Sequence, residues 1–374
     1  MKILFSTDQI YLHGGIEKVM AEKANYFADV MGYEVFILTT EQKNNPPCYP
    51  LSKNISLLDL SVNYIRTKSY FHPLNISKIP THFSRFIKTI ETINPDIIIT
   101  CNYAFDFYWL PFTFVSIPKI KEFHSSRYFE NEIRKKTTGI RRLKYLLNDF
   151  IESKFTRLVL LNPDELDFYP SPNKVVIPNP ITLRDHSDVQ KRKKQVIAAG
   201  RIAPVKRFDL MIEAWKKVIA ASPDWHLVIF GDGEPAYVDY LRQIIVDNYL
   251  EHNVFLQPAT PQLQDEFLQS SFYLMTSKTE CYPMVLLEAM SCGLPIVTYD
   301  SPTGPRNIVT HEFDGFIVPY DNESVLVEKI VFLTQNEPLR HEMGIKAVSK
   351  AASFSVEKVM VQWLSLIKEL KQKH

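Results

Sequence analysis

The sequence predicts an α/β protein built from two doubly wound, Rossmann-like units. Short apolar, β-branched runs alternate with amphipathic stretches, as in parallel sheets covered by helices on both faces. The alternation restarts in the second half, after a proline-rich stretch. A chain of 374 residues, 45% apolar and 23% charged, has ordinary globular composition and length enough for two domains.

The first unit opens with a strand at Lys2 to Ser6. A helix follows near Ile16 to Val30, where Ile16, Val19, Met20, Ala24 and Phe27 recur at helical spacing. Further strands are expected at Glu34 to Thr39, Ile97 to Thr100 and Lys119 to Phe123. The stretch from Ile97 to Ile117 reads as strand plus aromatic-rich helix. Its Asn102, Asp106 and Pro111 argue against a membrane span. The N-terminal apolar run is too brief for a signal peptide, and Asp8 interrupts it. Pro163, Pro170, Pro172, Pro178 and Pro180 suit a rigid connection without a long helix. The boundary is therefore placed near Ile181, with domains at 1–181 and 182–354. The run Lys191-Arg192-Lys193-Lys194 reads as a solvated loop.

The second unit reads as strand Gln195 to Ala199, helix Phe208 to Ala220, strand Trp225 to Phe230 and helix Val238 to Asn248. Then come strand Val254 to Leu256, helix Leu263 to Ser270, strand Phe272 to Thr276, a short helix, and strands Pro295 to Tyr299 and Phe316 to Val318. A tail at 355–374 forms an amphipathic helix. Val356, Val359, Met360, Trp363, Leu364, Ile367 and Leu370 make its stripe, and Ser355 can cap it.

A net charge of +1 gives no global signal for nucleic acid. The four cysteines, Cys48, Cys101, Cys281 and Cys292, lack C-x-x-C spacing, which fits reduced thiols in a cytosolic protein. Neither a G-x-G-x-x-G nor a Walker-type loop is present.

Chemistry concentrates at Glu280-Cys281-Tyr282-Pro283-Met284-Val285-Leu286-Leu287-Glu288. Pro283 suits the first helical turn. The helix is apolar almost all round, which argues for burial, yet it holds Glu288. Glu280 lies just before a helix start, where free N–H groups attract anions. Two acids around an anion-binding helix start suit a ligand with both hydroxyls and phosphates. This segment resembles the Glu-x7-Glu motif of retaining GT-B glycosyltransferases of family 4, glycosyl transferases group 1. That resemblance implies GT-B architecture, two Rossmann-like domains facing a central cleft, with a last helix that often crosses back to the first domain. It assigns Glu280 to the donor sugar and Glu288 to the ribose of a sugar nucleotide. Cys281, Tyr282, Pro283, Met284 and Val285 line the donor between them. Cys281 stands where the family usually has glycine, which bears on the turn and on sugar choice.

Gly200-Arg201-Ile202-Ala203-Pro204-Val205-Lys206-Arg207-Phe208-Asp209 resembles the family's Gly-Arg-x4-Lys-x2-Asp pattern. Two fixed cations, Arg201 and Lys206, suit a nucleoside diphosphate leaving group that gains negative charge as its bond breaks. The chain contains no Asp-x-Asp pair, so these cations are expected to replace a metal, and no cofactor is expected. His13-Gly14-Gly15-Ile16-Glu17 resembles the family's Gly-Gly-x-Glu turn. There Gly15 would admit the donor diphosphate to a helix start. His124, after a predicted strand, matches a family histidine near the donor sugar. Asn179 lies in a segment resembling the family's interdomain crossing, and the loop from Ser301 to Arg306 resembles one of related polysaccharide enzymes.

Arg134, Lys135, Lys136, Arg141, Arg142 and Lys144 cluster in the first unit, where they would meet an anionic membrane surface if the acceptor is lipid-linked. The resemblance implies a retaining hexosyltransferase, expected to be metal-independent. It would move a sugar from a nucleotide donor, a UDP-sugar, onto a glycan or lipid-linked acceptor in surface polysaccharide synthesis. The implied place is cytoplasmic, peripheral on the inner face of the membrane. Two alternatives stay open. An epimerase or hydrolase on the same fold would release epimer or free sugar without an acceptor. A noncatalytic nucleotide-sugar-binding subunit would bind donor without turnover.

Overall fold

A computed structural model of the chain describes residues 1–101, 104–183 and 192–373. Asn102 and Lys191 lie outside the described residues. The chain divides into two compact units, Met1–Pro180 with Val356–His374, and Ile181–Ser355.

In the first unit the elements are β1 (Lys2–Thr7), α1 (Gly15–Asn25), β2 (Glu34–Thr39), β3 (Ile55–Asp59), α2 (Pro73–Ile76), α3 (Ile79–Ile93) and β4 (Ile97–Thr100). β5 (Lys119–Glu122), α4 (Tyr128–Lys136), α5 (Arg142–Glu152), β6 (Arg157–Leu160) and β7 (Lys174–Val176) follow. The strands form one parallel sheet in the order β3-β2-β1-β4-β5-β6-β7. Central strands read as unbroken apolar runs because both faces are covered: Ile97, Ile98 and Ile99 are fully buried. β3 and β7 are sheet edges with half-buried side chains.

Three local readings differ from the sequence expectation. The helix at 16–30 is α-helical only to Asn25 and widens into a π turn over Tyr26–Val30. Among the described residues no long helix follows β4. Phe105–Tyr108 and Leu110–Phe112 are short 3-10 turns, because Pro111 has no N–H to continue a helix. β3, β6 and β7 are strands that the sequence does not announce.

The second unit comprises β8 (Gln195–Ala199), α6 (Phe208–Ala221), β9 (His226–Phe230), α7 (Pro235–Asp247), β10 (Val254–Gln257), α8 (Leu263–Gln269) and β11 (Phe272–Met275). α9 (Met284–Ser291), β12 (Ile296–Tyr299), β13 (Gly315–Val318), α10 (Glu323–Gln335) and α11 (Glu337–Ala351) complete it. Its parallel sheet runs β10-β9-β8-β11-β12-β13. Trp215, Met211, Leu227 and Leu274 sit in its core. Arg192 is not a solvated loop residue. It is half-buried and donates to the carbonyls of Phe267, Ser270, Cys292 and Gly293 at 2.7–3.3 Å, so it ties α8 and α9 to the start of β8.

The last helix, α12 (Val356–Lys373), belongs to the first unit. Val359, Met360, Trp363, Ile367 and Leu370 join Phe5, Phe27, Ile37 and Ile99 in one buried cluster. Trp363 is 1% exposed, and truncating a ring buried this deeply costs about 3–5 kcal/mol. Among the described residues no helix is long and apolar enough to cross a membrane.

Candidate active site

Doubly wound sheets bind ligands beyond the carboxyl ends of the strands, where the strand order reverses. In the second unit that point lies between β8 and β11, which are neighbours although α6, β9, α7, β10 and α8 intervene. The loop after β8 carries Arg201 and Lys206, and the loop after β11 carries Glu280.

The first loop is closely held. A 3-10 turn at Pro204–Lys206 ends at Arg207, whose φ of 53° and ψ of 43° are left-handed. The Thr276 hydroxyl donates to the carbonyls of Lys206 at 3.1 Å and Arg207 at 2.9 Å. Arg207 pairs with Asp321 and stacks over the Tyr320 ring at 5.5 Å. The Lys278 N–H donates to the Val205 carbonyl at 2.8 Å, joining the two loops. On the other side the loop after β9 passes so near that a Cβ on Gly231 would stand 1.9 Å from the Gly200 oxygen. One on Gly233 would stand 2.1 Å from the Ile202 oxygen, so only glycine fits at either position.

This framework brings Lys206 Nζ to 2.6 Å from Glu280 Oε1. The side chains retain 22% and 14% exposure, so the pair remains open to solvent. Arg201 is exposed and makes no ion pair among the described residues. It lines an open cavity of about 500 Å³ together with Ile202, Pro204, Gly233, Tyr237 and Tyr240. Burial, then the neighbouring Asp209 carboxylate, pushes the Tyr237 phenol up to about 12.

Glu280 is fixed through its backbone. Its N–H donates to the Pro302 carbonyl at 3.0 Å, and its own carbonyl accepts from Thr303 and Gly304, each at 2.9 Å. The loop from Ser301 to Arg306 thus clamps the glutamate. Pro283 is the residue before α9 rather than a member of its first turn. Leu286, Leu287, Ala289 and Met290 are buried, while Met284, Val285 and Glu288 are half-buried on the remaining face. Glu288 is therefore not the fully buried carboxylate expected from an all-apolar helix. Cys281 and Tyr282 are buried. Cys281 has no left-handed backbone, so this turn does not require glycine there.

Sequence reasoning names Tyr282 and the loop of Ser301 but not the burial of their hydroxyls, and it misses Ser277, Thr276, Tyr320 and Asp321 as parts of this site. The hydroxyls of Ser277, Tyr282 and Ser301 are buried without a hydrogen-bond partner, and burial drives the Tyr282 phenol upward. Unsatisfied buried hydroxyls are uncommon and call for a water or a ligand. Thr276, Asp321 and Tyr320 hold the loop of Lys206 from positions far along the chain, and nothing local to them signals it.

His124 in the first unit lies elsewhere in character. Lys23 of α1 pairs with Glu122 of β5, at side-chain exposures of 2% and 1%. His124 Nε2 lies 3.3 Å from Glu122 Oε2, and the Cys101 thiol donates to Glu122 Oε1 at 3.6 Å. The Lys23 ammonium rests 4.5 Å above the Trp363 ring. Burial alone would raise the Glu122 carboxyl, but Lys23 and His124 outweigh it and bring it down to about 2. Burial lowers His124 despite Glu122, so its imidazole is neutral at neutral pH. A ring this enclosed presents little surface to a ligand. Gly15 begins α1 after the extended Gly14, and a Cβ on Gly15 would meet nothing within 4 Å. A Cβ on Gly14 would meet Glu17 Oε2 at 2.3 Å. Asn179 is buried at the end of the first unit.

The basic cluster divides in two. Arg134 is bound to Glu130 at 3.0 Å and Asp149 at 2.7 Å, and Lys135 to Glu132 at 2.7 Å. Arg141, Arg142 and Lys144 make no ion pair among the described residues. No group of three or more His, Cys, Asp or Glu gathers as for a metal ion among the described residues.

Residues 181–350, nearly the whole second unit, match the family described as glycosyl transferases group 1. The architecture is GT-B, with two parallel-stranded Rossmann-like units. A Haemophilus influenzae protein described as an uncharacterized glycosyltransferase is 26% identical over 98% of this chain and 99% of its own length. The amylovoran biosynthesis glycosyltransferase AmsD of Erwinia amylovora is 29% identical, over 50% of this chain and 52% of its own. Among solved structures, Anabaena HepE in complex with UDP-glucose superposes with a TM-score of 0.76 over 100% of both chains at 17% identity, a likeness of fold.

Proposed function

We propose that the protein is a retaining glycosyltransferase that takes a UDP-sugar in its second unit and transfers the sugar to a glycan or lipid-linked acceptor. The observation that carries this reading is the Lys206–Glu280 pair, 2.6 Å apart at the strand-order reversal, with Arg201 unpaired nearby. Each member has a partner in a sugar diphosphate. The donor diphosphate draws Lys206 and Arg201, and the sugar hydroxyls take the place of Lys206 on Glu280. As the bond from the anomeric carbon to the diphosphate breaks, both cations act on the oxygen that gains charge. Glu280 stands against the positive character at the anomeric carbon, and Glu288 holds the ribose. Retention and metal independence follow the family expectation. So do a role in surface polysaccharide synthesis and a peripheral place on the inner membrane face, with Arg141, Arg142 and Lys144 toward anionic lipid.

The test is a panel of nucleotide sugars read by thermal shift, because a bound donor raises the melting temperature by mass action. Transfer to an acceptor with the anomeric configuration of the product read by NMR completes it. UDP-sugars should shift the melt, and the product should keep the donor configuration. Inversion, or donor turnover to epimer or free sugar with no acceptor, would replace this reading.

A further inference from the structure

Helix α5 is amphipathic in the unusual sense. Its carboxylates point inward: Asp149 bonds Arg134 at 2.7 Å and Glu152 bonds Arg127 at 2.9 Å, while the Arg134 guanidinium lies 4.9 Å over the Tyr145 ring. Four of its apolar residues point outward, while Ile151 is buried. Leu143, Leu146, Leu147 and Phe150 fall on one helical face at spacings of three and four and are 51–59% exposed. The face does not end with the helix. Phe112 stacks on Phe150 at 6.0 Å between centroids, and Ile140, on the 3-10 turn before α5, is 82% exposed. Contiguous exposed apolar surface of this kind marks a docking site rather than an ordinary solvated face.

Charge identifies the occupant. Arg141, Arg142 and Lys144 are exposed around the same turn and make no ion pair among the described residues. The carboxylates of this region, Glu130, Glu132, Asp149 and Glu152, are all engaged by Arg134, Lys135 or Arg127. An apolar face rimmed by unneutralised cations, with its acids turned inward, complements the boundary between acyl chains and anionic headgroups. A protein partner would have to match both features at once, whereas an anionic bilayer supplies both at every point.

We propose that Ile140 and the outer face of α5 insert into the headgroup–acyl boundary of an anionic lipid bilayer, with Arg141, Arg142 and Lys144 on the phosphates. This deepens, and rests on, the proposed peripheral place at the membrane with Arg141, Arg142 and Lys144 toward anionic lipid. It differs from purely electrostatic attachment, because apolar insertion is not screened by salt.

The experiment is flotation of the full chain with vesicles of phosphatidylcholine containing 30 mol% phosphatidylglycerol, at about 0.1 and 1 M NaCl. No donor is added, so the outcome stands apart from whether sugar is transferred. The protein should float with these vesicles at low salt and retain a measurable fraction at high salt. Leu143→Ser/Leu146→Ser/Leu147→Ser should bind at least tenfold less and lose the salt-resistant fraction, with an unchanged circular dichroism spectrum. Should that variant fail to fold, Ile140→Asp, at the most exposed position, should still lower binding at least threefold. Equal binding by the folded variants, or no flotation of the parent chain, would overturn the proposal. So would a parent dimer in sedimentation that the triple substitution converts to monomer, which would make a second copy the occupant.

Discussion

Lys23 meets Glu122 in the first unit at side-chain exposures of 2% and 1%, whereas Lys206 meets Glu280 in the second at 22% and 14%. Both join a lysine to a glutamate from a distant element. Their surroundings separate them. The first has a thiol, an imidazole and the Trp363 ring around it, and water cannot replace either partner. The second faces an open site, where a ligand or water can take over from either partner at little cost. The same ion pair is thus a lock in one place and an exchangeable contact in the other, and burial decides which.

The largest effect should come from breaking the lock. Glu122→Gln leaves Lys23 charged and buried without its counterion, which costs about 3–5 kcal/mol and should appear as a large drop in melting temperature. An unchanged melt would show that the pair is not a lock. The pH dependence has a definite sign. The Glu122 carboxyl is held at about 2 in the folded chain, against an ordinary 4.5. Its contribution is therefore present above about 4.5 and is lost as the pH falls toward about 2, and Glu122→Gln removes that component of acid unfolding.

Next comes the exchangeable pair. Lys206→Ala and Arg201→Ala should each lower turnover by about 10²–10³-fold, or about 3–4 kcal/mol of barrier. Their melting temperatures should stay near that of the parent. A melt that falls as far as that of Glu122→Gln would erase the distinction between the two pairs.

A finer contrast separates the carboxylates. Glu280→Gln should mainly lower kcat, because its charge matters as the sugar becomes cationic. Glu288→Gln should mainly raise the donor KM, by about tenfold, because ribose contacts change little between ground and transition state. If Glu280→Gln keeps full kcat and Glu288→Gln keeps the parental KM, the motif has only a structural role. The smallest effect is expected from excess EDTA, which should change transfer by less than about twofold if the cations do the work of a metal. Loss of activity restored by Mg²⁺ or Mn²⁺ would reassign that work.

The strands of the second unit were legible because covered parallel strands leave unbroken apolar runs, as at Val196 to Ala199 and Leu227 to Phe230. Edges were not. Ile55–Asp59 mixes faces because one side is half in solvent, and Lys174–Val176 hides among prolines. The motif residues Arg201, Lys206 and Glu280 were legible as types, but the contact across 74 positions was not. Arg192 looked solvated among lysines because its carbonyl partners come from 75–101 positions away. The charges around Arg141 were visible in sequence. That α5 turns its acids inward and its leucines outward was not, since periodicity does not say which face meets the core.

The place of α12 also sets an order in time. The first unit is synthesised first, yet its core includes Trp363 and the rest of the Val356–Lys373 helix. During translation, residues 181–355 must emerge between the two parts, an interval of roughly 10–35 s at ordinary elongation rates. For that time the seat of Trp363 stays open, while the second unit can close on its own sequence. The half of the molecule that begins first is the half that finishes last.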